Sequence, residues 1–213
     1  MLKMNFLDKY KVNNGNPVDG KYYKVYDEQK SFLYNIPVTQ EKNLTNQFLK
    51  GVTCFVVNEQ GQILLEKRAN TELTPGKIDL VSGHVDMEEI EKQSIIRELG
   101  EEVGIQENEA VNAEKICTMS LGFENKGKIR NFFITFYYVF IKNSNLKIQE
   151  QEVKSLHWVP MEQAFKMLES GKTKFPKASE NIKYNEIFDT VRNAYKNVYL
   201  KRNSNKVKRD IVE

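Results

Sequence analysis

The chain contains no long apolar run. Its richest apolar stretch, Phe132 to Ile141, spans ten residues, about half the length that a membrane-crossing helix requires. The first residues, MLKMNFLDKYKV, show no continuous apolar segment and no small-residue cleavage site, which argues against a secretory signal. Two cysteines, Cys54 and Cys117, are too few for a disulfide framework and suit a reducing compartment. We therefore expect a cytoplasmic protein without a membrane span.

The body of the chain also lacks an excess of positive charge. The formal net charge is +3 over 213 residues, but the residues from 194 onward hold six cations and two anions. Removing that +4 leaves −1 for the first 193 residues, which argues against nucleic acid as a partner of the globular part. The 40% of apolar and 29% of charged residues exclude a disordered protein.

The order of the local patterns predicts a mixed α/β domain. Strand patterns cover residues 21–26, 32–36, 51–58, 62–68, 78–83, 113–123, 130–142 and 153–160, and helix patterns cover residues 87–103, 161–170 and 181–200. Strands and helices in this order indicate a mixed sheet that is covered on both faces.

The domain organisation follows from these patterns. We expect an N-terminal extension of residues 1–47 with a candidate β-hairpin, a domain of residues 48–200 and a basic, disordered tail of residues 201–213. Three roles stay open for the extension, which could complete the sheet, shape the pocket or form the interface of a homodimer.

Three carboxylates share one side of the helix predicted over residues 87–103. At 100° per residue, Glu98, Glu101 and Glu102 fall within an arc of roughly 100°, beside an apolar stripe. Like charges at this spacing repel each other, and the single neighbouring cation, Arg97, cannot neutralise all three. Mg²⁺ takes oxygen ligands and often holds substrate phosphates as well, so the cluster indicates metal-assisted phosphate-ester chemistry.

The ends and the middle of this helix carry further signals. Asp86 with Glu89 three residues later fits a capping box, and Gly104 fits a C-terminal stop. Gly100 lies inside the helix, where glycine costs about 1 kcal/mol relative to alanine, and this predicts the close approach of a neighbouring strand.

The same segment matches every fixed position of a known signature. The Nudix box reads Gly-x5-Glu-x7-Arg-Glu-aliphatic-x-Glu-Glu-x-Gly-aliphatic, and its positions here are Gly83, Glu89, Arg97, Glu98, Leu99, Glu101, Glu102, Gly104 and Ile105. The chain therefore resembles a Nudix hydrolase. This resemblance implies an α/β/α sandwich with a mixed β-sheet, here with an N-terminal extension and a C-terminal helix.

The resemblance also implies an activity and a cofactor. Nudix hydrolases are pyrophosphohydrolases that cleave a diphosphate, commonly a nucleoside diphosphate linked to another moiety, with Mg²⁺ or Mn²⁺. The implied metal ligands are Glu98, Glu101, Glu102 and the backbone carbonyl of Ser82. Glu98 is our first choice for the group that orients or deprotonates the attacking water. Arg97 would brace the carboxylates together with Glu89, and Glu98, Arg97 and Glu101 are the expected catalytic residues.

The segment LLEKRAN…PGKIDLVSGHV resembles the subgroup related to isopentenyl-diphosphate isomerase. Those isomerases depend on a cysteine in a Cys-Gly-His run, and Ser82 stands at that position here. Those isomerases also typically have a degenerate box and recruit additional histidines as metal ligands. Here the box is complete and the chain has only two histidines, His84 and His157, so hydrolysis is favoured over isomerisation. A non-catalytic module that binds nucleotides or RNA, suggested by the C-terminal cations, is the remaining alternative.

Further residues are candidates for contacts with the substrate. Arg68 and Lys67 end a strand beside the expected cleft and could bind phosphate oxygens, or they could be ordinary strand-end cations. His84 could contact metal or phosphate, or only hydrogen-bond locally. Glu152 and Glu150 could supply an acid from outside the box.

The aromatic residues are interpreted mainly as core. The run Phe132–Phe140 and Trp158 fit a buried position better than a base-stacking surface. Phe123, which precedes a turn-prone segment, is the candidate for stacking on a base.

Overall fold

The computed structural model of the protein describes residues 22–44, 46–69, 75–125, 128–142 and 146–200. The strands, in chain order, are β1 (Tyr22–Tyr26), β2 (Phe32–Pro37), β3 (Phe48–Val57), β4 (Gln62–Arg68), β5 (Ile78–Asp79), β6 (Val81–His84), β7 (Glu114–Asn125), β8 (Lys128–Phe140) and β9 (Val153–Pro160). The α-helices are α1 (Glu91–Val103), α2 (Glu107–Ala110), α3 (Met161–Glu169) and α4 (Asn185–Tyr195). A 3₁₀ helix (Val38–Asn43) follows β2, and a π-helical segment (Lys196–Leu200) follows α4.

Strand β3 is the centre of a mixed sheet of nine strands within this part of the chain. It runs parallel to β8 from the pair Phe48–Asn131 to the pair Val57–Phe140. On its other edge it pairs antiparallel with β1, β6 and β4. Strand β7 extends the sheet beyond β8, β2 extends it beyond β1, and β4 also pairs with β5 and β9.

Two cores cover the two faces of the sheet. Neighbouring residues of a strand point to opposite faces, so Val52, Cys54 and Val56 pack in the core that α1 covers, while Phe55 and Val57 pack in the core that α3 and α4 cover. The predicted mixed sheet with helices on both faces is therefore confirmed. None of the described helices is long and apolar enough to cross a membrane.

The predicted N-terminal hairpin is present and joins the main sheet. Strands β1 and β2 pair antiparallel, and Tyr26 of β1 pairs with Phe48 of β3. The backbone N–H of Met87 donates to the carbonyl of Tyr22 at 2.9 Å. The hairpin thus completes the sheet beside the segment that leads into α1. Residues 1–21 of the predicted extension and the predicted basic tail, residues 201–213, lie outside the described residues.

Helix α1 begins later than the sequence predicts, and its cap is a different one. Its N-cap residue is Ile90, whose N–H donates to Oε1 of Gln93 at 3.0 Å. The predicted capping box of Asp86 and Glu89 is wrong because the N-cap residue of α1 is Ile90, four positions after Asp86. The carboxylate of Glu89 accepts a hydrogen bond from the backbone of Asp86 and two from the guanidinium of Arg97, so it joins the segment before α1 to the helix.

The predicted C-terminal stop of α1 is confirmed. Gly104 has a φ of +72° and its N–H donates to the carbonyl of Gly100, as in left-handed helix caps. No strand in the described part of the chain approaches Gly100, so that prediction is wrong. Among the described residues, the nearest atom that a Cβ on Gly100 would meet is the carbonyl oxygen of Ile105, at 3.7 Å.

Candidate active site

A cavity of about 250 Å³ lies where β3, β4 and β6 meet α1. Side chains from β1, β7 and β8 and from the segment after α3 also line it. Eight of the residues singled out from the sequence line this cavity, namely Arg68, Ser82, Gly83, His84, Arg97, Glu98, Glu101 and Glu152. The fold therefore brings residues that are far apart in the chain to one concave surface.

Arg97 is the centre of an ion-pair network on α1. Its Nε and Nη2 donate to the two carboxylate oxygens of Glu89 at 2.8 and 3.0 Å. Its Nη1 donates to Glu98 at 2.7 Å and to Glu101 at 3.1 Å, and Nη2 also reaches the carbonyl of His84 at 3.1 Å. Burial opposes the charge of Arg97, but these acidic partners prevail and raise its pKa. The guanidinium fixes the carboxylates relative to β6.

Gly83 makes the space that Glu98 occupies. A Cβ at position 83 would lie 1.8 Å from Oε1 of Glu98 and 2.1 Å from its Cδ, far inside van der Waals contact. Glu98 is therefore packed directly against the backbone of β6 and is only 8% exposed. Burial raises the pKa of Glu98, although the neighbouring Arg97 opposes this effect.

Glu102 lies deeper than Glu98, beneath the lining of the cavity, and is 1% exposed. Its Oε2 accepts a hydrogen bond from the N–H of Ser82 at 3.1 Å, and its Oε1 has no hydrogen-bond partner among the described residues. Burial, together with the charges of Glu66 and Glu98, raises the pKa of Glu102 well above its ordinary value. A buried carboxylate oxygen without a partner is costly, and a cation would satisfy it.

A second network of charges is centred on the fully buried Asp79 and reaches the cavity through Arg68, Ser82 and Lys174. Oδ2 of Asp79 lies 2.6 Å from Nζ of Lys174 and 3.6 Å from Nη1 of Arg68. The hydroxyl of Ser82 is 3.0 Å from the same oxygen and accepts a hydrogen bond from Nζ of Lys174 at 2.8 Å. Arg68 also pairs with the buried Glu66 at 3.4 Å. We call these five residues the Asp79 cluster.

Aromatic rings line the remaining side of the cavity. The rings of Tyr23 and His84 are stacked, with centroids 4.6 Å apart. Phe123 packs edge-on against Phe132 and Phe175, with centroid distances of 5.5 and 5.9 Å. We call these five residues the aromatic wall. Phe132 is largely buried, as the sequence predicts, and it also lines the cavity.

Comparison with known proteins identifies the family. The model of the NUDIX domain matches residues 47–179. The chain belongs to the Nudix family. The structure of DR0079 from Deinococcus radiodurans is similar, with 18% identity, a TM-score of 0.57 and coverage of 82% of this chain and 99% of that one. A MutT protein from Methanosarcina mazei shares 21% identity, with a TM-score of 0.48 and coverage of 70% and 96%. A search of curated proteins finds no significant match.

The Nudix assignment confirms the family inferred from the sequence and leaves the subgroup open. Nudix hydrolases generally cleave diphosphates with the help of a divalent metal ion. The resemblance to the subgroup related to isopentenyl-diphosphate isomerase stays a prediction.

The donor set of the Nudix box fits a hard divalent cation. The unpartnered oxygen of Glu102 and the carboxylate of Glu98 are oxygen ligands of the kind that Mg²⁺ prefers. Within the described residues, however, no three His, Cys, Asp or Glu side chains converge closely enough to hold a metal ion. Arg97 holds Glu98 and Glu101 instead, and the side chain of Glu101 is 49% exposed.

Of the remaining candidates from the sequence, some line the cavity and others do not. Glu152 lines the cavity, whereas Glu150 is exposed and lies outside its lining. Arg68 lines the cavity but Lys67 does not, since successive side chains of a strand point to opposite faces. Leu99 and Ile105 of the Nudix box are buried in the core beneath α1.

Sequence reasoning missed three charged members of the Asp79 cluster, namely Glu66, Asp79 and Lys174. Lys174 lies 92 positions from Ser82, its hydrogen-bond partner, and no local pattern links the two. Glu66 and Asp79, acidic residues inside apolar strands, were the available signals, because a buried carboxylate needs a partner.

Proposed function

We propose that this protein is a Mg²⁺- or Mn²⁺-dependent hydrolase that cleaves the diphosphate of a nucleoside diphosphate linked to another moiety. The observation that carries the proposal is the packing of Glu98 into the space left by Gly83. On a solvated acidic face the glutamates would be exposed and free of such packing. The buried Glu98, together with the unpartnered oxygen of Glu102, therefore supports a catalytic role for the Nudix box.

The metal would be held by Glu98, Glu101, Glu102 and the backbone carbonyl of Ser82. When bound, it would supply charge neutralisation for the diphosphate and lower the pKa of a water molecule. Glu98 would accept a proton from the attacking water at its carboxylate. Arg97 would keep Glu98 and Glu101 in place through the contacts at 2.7 and 3.1 Å, so that little reorganisation is needed during the reaction.

The other sides of the cavity support the proposed substrate class. Arg68 would bind phosphate oxygens, since a guanidinium matches their geometry. The aromatic wall presents π-faces and edges on which a planar base could stack, an interaction worth about 1–3 kcal/mol per base. A substrate that contains both a diphosphate and a planar base would contact Arg68 with the first and the aromatic wall with the second.

Two other functions give different experimental results. Isomerisation of isopentenyl diphosphate would exchange protons into the substrate without releasing phosphate. The hydroxyl of Ser82, at the isomerase cysteine position, is engaged with Asp79 and Lys174, which favours hydrolysis. A non-catalytic RNA-binding module would show salt-sensitive binding that depends on residues 201–213 and no turnover.

The test is a product-resolved screen of nucleoside triphosphates, dinucleoside polyphosphates and nucleotide sugars with Mg²⁺. We expect hydrolysis of at least one class, and its loss in Glu101→Gln and Glu102→Gln. Glu88→Gln is the matched control, because Glu88 precedes the same helix but is exposed and lies outside the cavity lining. Full activity of both Gln variants would contradict the proposal.

A second readout tests the metal site without turnover. A ligand present at 100 times its Kd stabilises a protein by about 2.7 kcal/mol, which corresponds to roughly 5–10 °C in Tm for a protein of this size. We expect Mg²⁺ to raise the Tm of the wild type and of Glu88→Gln, and to leave the Tm of Glu102→Gln unchanged. An equal rise in all three proteins would place the metal elsewhere.

A further inference from the structure

Lys174 enters the cavity from a segment that is remote from the Nudix box. The backbone of Thr173 forms a bridge with Ile78 of β5, and the N–H of Lys174 donates to the carbonyl of Ile78 at 2.8 Å. Phe175 is almost completely buried and packs against Phe123 and Phe136. These contacts on both sides fix the backbone from which the lysine side chain extends.

The ammonium group of Lys174 has hydrogen-bonding capacity to spare. Nζ donates to the hydroxyl of Ser82 at 2.8 Å and lies 2.6 Å from Oδ2 of Asp79. A lysine ammonium carries three N–H donors, and these two contacts account for two of them. The side chain is 22% exposed and lines the cavity. Among the described residues Nζ makes no further hydrogen bond, and its other contact is with the ring of Phe175, whose centroid is 6.0 Å away. A third donor is thus available to a ligand.

The Asp79 cluster holds this cation in place before any ligand binds. Oδ1 of Asp79 accepts a hydrogen bond from the N–H of Leu80 at 2.9 Å, while Oδ2 faces Lys174. Because Asp79 is fully buried, its attraction for the ammonium is weakly screened by solvent. Arg68 lies 3.6 Å from the same oxygen of Asp79 and 3.4 Å from Glu66. Among the described residues, Asp79 is the acid that forms an ion pair with Lys174. Two cations therefore share this one carboxylate, which leaves part of their positive charge for a phosphate.

We propose that Lys174 binds a phosphoryl group of the substrate through its third N–H. The diphosphate would then lie between Lys174 and the glutamates of α1, which line the same cavity. Phe175, the next residue, belongs to the aromatic wall, so the non-phosphate moiety would lie along that wall. This inference rests on the proposed function and adds a specific phosphate contact to it.

Binding of a non-hydrolysable diphosphate tests this contact directly. The affinity of the full chain for methylenediphosphonate, with Mg²⁺, is measured by isothermal titration calorimetry. We expect Lys174→Met to weaken binding about 10- to 100-fold, the range for a charged hydrogen bond, and Lys174→Arg to restore part of it. Lys172→Met removes the same charge two residues away on an exposed side chain and is expected to change the Kd less than twofold.

The outcomes separate this proposal from the proposed function. If Lys174→Met binds methylenediphosphonate as tightly as the wild type does, the ammonium only neutralises Asp79 and the proposal is overturned. If the wild type binds the probe through Lys174 but hydrolyses no diphosphate, the proposed function fails and the phosphate contact stands.

A second variant covers the case in which Lys174→Met does not fold. That substitution leaves the buried Asp79 without its closest cation, and an unpaired buried charge destabilises strongly. The double variant Asp79→Asn/Lys174→Met replaces the pair by neutral groups of similar size. Weakening of at least tenfold in the folded double variant supports the proposal, and wild-type affinity overturns it.

Discussion

The packing of Gly83 against Glu98 allows a prediction with a calculable displacement. In Gly83→Ala the new methyl group would lie 1.8 Å from Oε1, 2.1 Å from Cδ and 2.6 Å from Cγ of Glu98. Moving Cδ to an ordinary contact distance of roughly 3.5 Å requires a shift of about 1.4 Å. All three atoms belong to the flexible end of the glutamate, so the side chain swings away and the backbone stays.

This shift affects activity far more than stability. Misplacing a catalytic group by about 1 Å can cost 100-fold in rate, and losing a general base costs about 10²–10⁴-fold. We therefore expect kcat to fall at least 100-fold. The folded state loses the charged hydrogen bond from Arg97 to Glu98, worth about 1.5–3 kcal/mol, while the reduced entropy of the unfolded chain returns about 0.4–1 kcal/mol. The net loss is about 0.5–2.6 kcal/mol, or about 1–10 °C in Tm.

Gly100→Ala on α1 is the matched control. Its Cβ would meet only the carbonyl of Ile105 at 3.7 Å, and alanine in a helix is favoured over glycine by about 1 kcal/mol. We expect an unchanged kcat and a Tm that is about 2–4 °C higher. The assays are steady-state hydrolysis with Mg²⁺ and thermal unfolding. A kcat for Gly83→Ala within threefold of the wild type would refute the reasoning, because the displaced carboxylate would then have no role in the reaction.

Three further predictions concern other parts of the cavity. Burial and, to a smaller extent, the charge of Asp79 raise the pKa of Glu66 from 4.5 to about 8. Between these two pH values the folded state therefore retains a proton on Glu66 that the unfolded state has lost. Stability of the metal-free protein should therefore fall as the pH rises from 5 to 8, and Glu66→Gln should flatten this dependence in melts with a chelator. Arg97→Lys should lower kcat at least tenfold, measured at saturating Mg²⁺, because an ammonium cannot bridge Glu89 and Glu98 as the guanidinium does. Phe123→Ala should raise the KM of a nucleoside substrate about tenfold and leave the Kd of methylenediphosphonate unchanged in calorimetry.

Local patterns in the sequence predict the parts of this fold that local physics determines. The apolar stretches of β3 and β8 predict buried strands, and Glu98, Glu101 and Glu102 fall on one helical face because of the helical period alone. The start of α1 could not be predicted in this way. Glu89 has the spacing of a capping residue and contacts the backbone of Asp86, but the helix begins only at Glu91. The Glu89 carboxylate also binds Arg97 and Ser94 within the helix, and the spacing alone does not reveal these partners.

The Asp79 cluster could not be predicted for a different reason. Its members come from β4, β5, β6 and the segment after α3, and only the folded sheet brings them together. No periodicity relates Lys174 to Ser82. The acidic residues Glu66 and Asp79 lie in apolar strands, so the sequence shows that they need partners without showing which partners they find.

The pairing of the buried acids shows which of them a cation would stabilise. Four carboxylates are buried in the described part of the chain, namely Glu66, Asp79, Glu98 and Glu102. Arg68 pairs with Glu66, Lys174 and Arg68 pair with Asp79, and Arg97 pairs with Glu98. Among the described residues, Glu102 alone has no cationic partner, and one of its oxygens also lacks a hydrogen bond. An unpaired buried carboxylate destabilises the folded state, and burial accordingly raises the pKa of Glu102 well above its ordinary value. A divalent cation held by Glu102 and Glu98 would remove this cost and would favour the charged form that the proposed reaction uses.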